Sequence, residues 1–216
     1  ELESEGYLIS VMVDSPGTEK IFNCPIYGNH NLNVWNSYTV ENLSKYKGLI
    51  LSSELSGREI KEITCKNYIK NTDLEMIVHG NLEVIVSRDD FTNLNDGRDF
   101  IISNDAEYAT LEDKKRKKFK YKIFFDYNKQ SHILNKDCLC LIEEMNDIKN
   151  LNLDNLIVDC RYSNEKYTKQ ILSIYNESLS EISDEKLEEY KFKIMDFSQS
   201  YINKGNYIEG RLHEDT

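Results

Sequence analysis

The stretch Lys47 to Gly80, "KGLILSSELSGREIKEITCKNYIKNTDLEMIVHG", decides how the chain folds. It opens on a continuous apolar run, the pattern of a strand covered on both faces. Ser56-Gly57-Arg58-Glu59 then reads as a capping box, in which the Ser hydroxyl and the Glu carboxylate each satisfy a free N–H at a helix start. The helix runs to about Tyr68 with Ile60 and Ile63 inward, and a second apolar strand, Leu74 to Gly80, follows. A strand–helix–strand unit this short implies a parallel sheet with a right-handed crossover. The fold class is therefore α/β: an open sheet, or a partial or complete (β/α) TIM-like barrel. In either fold the loops after the C-terminal strand ends converge on one face and carry the chemistry.

Upstream, Tyr7 to Val13 reads as a strand, and "NLNVWN" (Asn31 to Asn36) as another, with Asn36 or Ser37 capping a short helix through about Lys45. Downstream the pattern changes. Phe119, Tyr121, Ile123 and Phe125 alternate with lysines, and Tyr127-Asn128-Lys129 supplies a turn, which predicts a small antiparallel insertion. "DNLIVDC" (Asp154 to Cys160) resumes the parallel pattern. Asn164 to Ser180 is an amphipathic helix with Tyr167, Ile171, Leu172, Tyr175 and Leu179 inward, and a second helix spans about Asp184 to Ile202. The expected units are 1–100 (barrel strands and helices), 101–145 (antiparallel β insertion) and 146–216 (last barrel strand, helices and tail).

Charge and cysteine usage narrow the function. Lys+Arg 27 against Asp+Glu 38 leaves a net charge of -11, which argues against binding nucleic acid by general phosphate neutralisation. No window approaches the roughly 18 apolar residues of a membrane span, and "ELESEGYLIS" lacks the basic start of a signal peptide. No membrane association and a cytoplasmic location are the expectations. The five unevenly spaced cysteines do not form a secreted disulfide framework, so reduced thiols are expected. The chain opens on acidic residues and enters a strand almost at once, as a piece cut from a larger parent would.

Several residues stand where chemistry is expected, each with a structural reading beside it. His79, at a strand end before Gly80, is suited to proton transfer or to a structural hydrogen bond. Glu75, four residues earlier, has the same strand parity and shares the face of His79 if the strand is regular. An unpaired carboxylate inside a sheet is costly, so Glu75 meets a cation or faces a polar interior. Glu54 stands where a barrel carboxylate would act, or bonds the next helix start. Asn33 and Asn36 flank Trp35 as ligand-binding amides or as turn residues. Cys138 and Cys140 form a C-x-C with no second pair at metal-site spacing, so no metal site is expected. Lys114 to Lys118 is either a solvated face or an RNA contact. There is no Gly-rich phosphate loop, G-x-S-x-G or H-E-x-x-H.

Taken in order, "LNVWNS", "LSSELS", "LEMIVHG", the block "TLEDKKRKKF" with "HILNKDCLCLI", "LIVDCR" and "KGNYIEG" resemble the U32 peptidase family, also called collagenase-like peptidases. The resemblance runs from about residue 30 to 210. It implies a (β/α) barrel, with this chain as its latter part plus the β insertion. The family motifs fall on Glu54, on Glu75, His79 and Gly80, on Asn135 and Cys140, and on the tail glycines Gly205 and Gly210. Many members carry cysteines after the His-Gly and bind an iron–sulfur cluster. Here Glu83 and Asp90 occupy those positions, and hard carboxylates suit a cluster poorly, so no cofactor is expected.

The resemblance implies a protease acting on a peptide or protein substrate. His79, Glu54 and Glu75 are its catalytic candidates, and Asn33, Asn36, Asn135 and Lys204 its substrate-binding candidates. One alternative is a non-proteolytic accessory factor or subunit of an RNA-modification (hydroxylation) system that touches RNA through Lys114–Lys118. Another is a degenerate barrel that serves only as an interaction partner.

Overall fold

The computed structural model describes residues 8–66, 71–89, 91, 100–104, 109–113, 120–198 and 201–210. The decisive stretch folds as its pattern predicts. Strands β1 (Val11–Val13), β2 (Ile26–Gly28), β3 (Gly48–Ile50) and β4 (Asp73–Gly80) pair in parallel in that order, with helices α1 (Ser37–Asn42) and α2 (Gly57–Thr64) in the crossovers. The capping box is complete. Ser56 Oγ accepts the Glu59 N–H at 3.3 Å, and Glu59 Oε2 accepts the Ser56 N–H at 2.8 Å. Ile60 and Ile63 are buried, and α2 ends at Thr64 with Cys65 as its C-cap, short of the expected end at Tyr68, which lies outside the described residues.

The expected strand at Asn31 to Asn36 is not formed. His30–Leu32 is a 3-10 turn, Asn33 takes a left-handed φ of 50°, and only Val34 bridges to Leu51. Asn side chains bond their own backbone and tolerate the left-handed region, so the polar run punctuates the chain instead of extending it. The strand sits earlier, at Ile26–Gly28.

A five-stranded antiparallel sheet interrupts the parallel pattern: β5 (Glu83–Ser87), β6 (Phe100–Asn104), β7 (Ala109–Asp113), β8 (Lys120–Phe125) and β9 (Ser131–Leu134), in the order β5-β9-β8-β7-β6. Its first strand follows β4 after two residues, ahead of residue 101, where the sequence reading began the insertion. Ala109, Ile123 and Ile133 make its small core. Next, β10 (Cys138–Cys140) returns to the first sheet, followed by the short helix α3 (Met145–Ile148).

Strand β11 (Asn155–Asp159) and helices α4 (Glu165–Ser178) and α5 (Asp184–Phe197) complete the body, and β12 (Ile202–Asn203) pairs with β10. Glu75 pairs with both Ile50 and Asn155, and His79 with both Cys140 and Val158. Since a strand residue has one neighbour on each edge, β11 runs along one edge of β4, while β3 and then β10 share the other. The α/β assignment stands, with a parallel-rich sheet and a separate antiparallel one; closure into a barrel is not among the observed features.

The core lies between the parallel-rich sheet and its helices, with Val34, Leu49, Val78, Leu141, Met145, Ile171 and Ile194 fully enclosed. On α4 the buried stripe is Ile171, Ile174, Tyr175 and Ser178, whereas Leu172 and Leu179 are exposed. The tail docks on the start of α2, where the Gly57 N–H donates to the Tyr207 carbonyl at 2.8 Å. A Cβ on Gly57 would lie 2.7 Å from the Tyr207 ring, so a larger residue there would have to push the end of that side chain aside. Among the described residues no helix is long and apolar enough to cross a membrane.

Candidate functional site

Buried from Leu74 onward, β4 brings His79 fully out of solvent. Gly80 has a φ of 145°, and a Cβ there would lie 2.7 Å from the Asp159 backbone oxygen. Glycine thus lets β4 and β11 close up just where His79 is set. His79 Nε2 is 2.8 Å from the Tyr167 hydroxyl and 3.6 Å from Cys138 Sγ, and Nδ1 is 3.5 Å from the Tyr175 hydroxyl. Tyr175 donates to the Val78 carbonyl at 3.0 Å. Both tyrosines come from α4, whose first turn is capped by Asn164 accepting the Tyr167 N–H at 2.9 Å.

Burial dominates the electrostatics of this cluster. It pushes His79 down to about 4 and the Cys138 thiol up to about 12, and raises Tyr167 and Tyr175 as well. At neutral pH all four groups are uncharged. Cys138 and His79 are close, but the pair lacks the thiolate that a cysteine nucleophile requires. The cluster opens on a cavity of about 240 Å3 that Asn81, Lys122, Asp159 and Gln170 also line.

Glu75 does not join His79. The pairing of β4 with β11 slips by one residue between Ile157 and Val158, which face Ile77 and His79. That extra residue breaks the alternation that would have kept Glu75 and His79 on one face. Glu75 is buried instead beside Asn155, whose Nδ2 donates to it at 2.9 Å, and burial raises its carboxyl.

A second cavity, of about 440 Å3, lies past the C-terminal ends of β2, β3 and β4. Asn33, Glu54 and Asn135, from three separate segments, line it together with His30, Ser52 and Glu83. The turn after β3 sets Glu54, whose N–H reaches Ser52 Oγ at 3.4 Å. Asn135 directly follows β9, its N–H donating to the Leu82 carbonyl at 2.7 Å. Glu83 is engaged by His132 at 2.7 Å and by the Tyr162 hydroxyl at 3.2 Å.

The remaining candidates have structural partners. Asn36 caps α1, accepting the Thr39 N–H at 2.9 Å, and lines neither cavity. Lys204 pairs with Glu144 at 2.6 Å and with Glu143 at 3.3 Å, while its neighbours Asn203 and Gly205 reach the second cavity. Asp90 and Lys114–Lys118 lie outside the described residues. Among the described residues no three His, Cys, Asp or Glu converge as metal ligands. Sequence reasoning missed His30. Its signal was a lone histidine between two asparagines directly after a strand that ends in Gly28.

The family model described as Peptidase family U32 matches residues 16–215, nearly the whole chain. No curated protein and no solved structure matches it.

Proposed function

The chain belongs to peptidase family U32, and from that premise we propose that it hydrolyses peptide bonds in the cavity beside Glu54. One observation carries the reading: Glu54, Asn33 and Asn135 line a single cavity beyond the C-terminal ends of parallel strands. A carboxylate there accepts a proton from the attacking water and passes it to the amine nitrogen as the C–N bond breaks, and side-chain amides donate hydrogen bonds to the substrate carbonyl oxygen where negative charge develops. Glu75, enclosed beside Asn155, and His79, fully enclosed with its Nε2 already facing the Tyr167 hydroxyl, support this role less well than Glu54 does. The RNA-modification reading rests on Lys114–Lys118, outside the described residues, and gains no support from this geometry.

Hydrolysis has a direct signature. Incubating the protein with denatured collagen or casein in water enriched in 18O should give fragments whose new C-terminal carboxyl groups carry the label. Intact substrate, or fragments that appear equally with Glu54→Gln protein, would remove the proposal.

A further inference from the structure

His30 is 9 % exposed, and a chain of hydrogen bonds fixes which of its ring nitrogens carries the proton. The Asp14 carboxylate, which can only accept, takes a hydrogen bond from Asn29 Nδ2 at 2.6 Å and one from Asn31 Nδ2 at 3.1 Å. Asn29 therefore turns its oxygen toward His30. That oxygen accepts the His30 backbone N–H at 2.8 Å and lies 2.9 Å from Nδ1, so Nδ1 must be the donor. In the neutral ring Nε2 is then a bare lone pair. It is buried, has no hydrogen-bond partner among the described residues, and belongs to a residue lining the Glu54 cavity. Burial first, and then the positive charge of Arg161, hold His30 below the usual histidine range, against the opposing pull of Glu83, Asp14 and Asp159; the ring is uncharged at pH 7.

A buried acceptor left unpaired is costly, so an occupant that donates to it gains. The rest of the lining asks for the same kind of occupant. It presents the carboxylates Glu54 and Glu83 and, among the described residues, no Lys or Arg. A primary ammonium group matches this set, having three N–H donors, one positive charge and no acceptor. We propose that the cavity binds a primary ammonium group, His30 Nε2 accepting one N–H and the Glu54 carboxylate supplying the opposite charge. The inference deepens the hydrolytic reading and rests on it for calling the ligand a substrate. The same ammonium chemistry comes from a peptide N-terminus or from a lysine side chain.

Calorimetric titration of the full chain at pH 7 tests this with three probes: triglycine amide, its N-acetyl form, and N-acetyl-lysine methylamide. An ammonium-bearing probe should bind at least about tenfold tighter than acetylated triglycine amide. Which of the two does so identifies the source. His30→Leu should lose that margin, and His30→Gln should keep most of it by restoring an acceptor atom. Equal binding of all three probes, no binding of any, or an undiminished margin in a folded His30→Leu protein would overturn the proposal. If His30→Leu does not fold, the 15N resonance of Nε2 in the wild type decides: it moves when the ammonium probe is added, or the proposal falls. Ammonium binding that depends on His30, in a protein that cleaves nothing, would remove the hydrolytic reading and leave this site. Cleavage that requires Glu54 without any ammonium preference would do the reverse.

Discussion

The Tyr167 hydroxyl lies 2.8 Å from His79 Nε2, inside a cluster in which Cys138, Tyr175 and the imidazole itself are all uncharged at neutral pH. The pairing joins α4 to the end of β4. It makes His79 first a part of the fold.

His79→Ala should therefore act on stability. Removing a fully enclosed ring leaves a void and takes from the Tyr167 hydroxyl its partner at 2.8 Å, at a cost of about 2–4 kcal/mol. Urea unfolding at pH 7.5 measures it; a loss well under 1 kcal/mol would show that the cluster contributes little.

The same histidine gives a pH dependence whose sign is fixed. Its folded pKa, about 4, lies below the ordinary 6.5, so between these values the unfolded chain binds the extra proton. The stabilisation is complete above pH 6.5 and is lost progressively as the pH falls toward 4, a difference on the order of 3 kcal/mol. Unfolding free energies at pH 7.5, 6 and 5 should decline in wild type and decline less in His79→Gln.

Gly80→Ala should be among the most damaging single-methyl changes in the chain. The added carbon meets the Asp159 backbone at a φ that side chains rarely adopt, and about 2–3 kcal/mol or more should be lost. Chemical denaturation, or poor yield of folded protein, reads this out.

Ser56→Ala removes one half of the capping box and should cost about 1 kcal/mol. Because Gly57 also holds the tail through Tyr207, hydrogen exchange should quicken at the start of α2 and in residues 204–210 together.

Thiol labelling should divide the cysteines. Cys65 is exposed, whereas Cys138 and Cys140 are buried with thiols raised by burial. Iodoacetamide at pH 8 should modify Cys65 first, leaving the C-x-C pair unlabelled until the protein unfolds, as peptide mass spectrometry would show.

The parts of this molecule that local chemistry dictates were legible in its sequence. The apolar runs of β3 and β4 and the Ser56–Glu59 box predicted the strand–helix–strand unit, because each needs only its own neighbours to form. What depends on distant partners was not legible. The short β2 is a strand because β1 and β3 flank it, while the more β-prone Asn31–Asn36 segment is bent by its own asparagines. Regular alternation along β4 would put Glu75 and His79 on one face, and the slipped register against β11 separates them. Glu54, Asn33 and Asn135 were each singled out in advance, but their common cavity is set by the packing of three segments. His30 went unnoticed because its meaning lies in the partners of its two nitrogens, which sequence does not show.

The central claim is that Glu54 activates water in its cavity, and the most direct measurement is the ratio of casein cleavage rates for wild type and Glu54→Gln protein. The substitution keeps the size of the side chain and removes the base, so the account predicts a rate at least about a hundredfold lower with an unchanged unfolding midpoint. Equal rates, or no cleavage by the wild type, would contradict it.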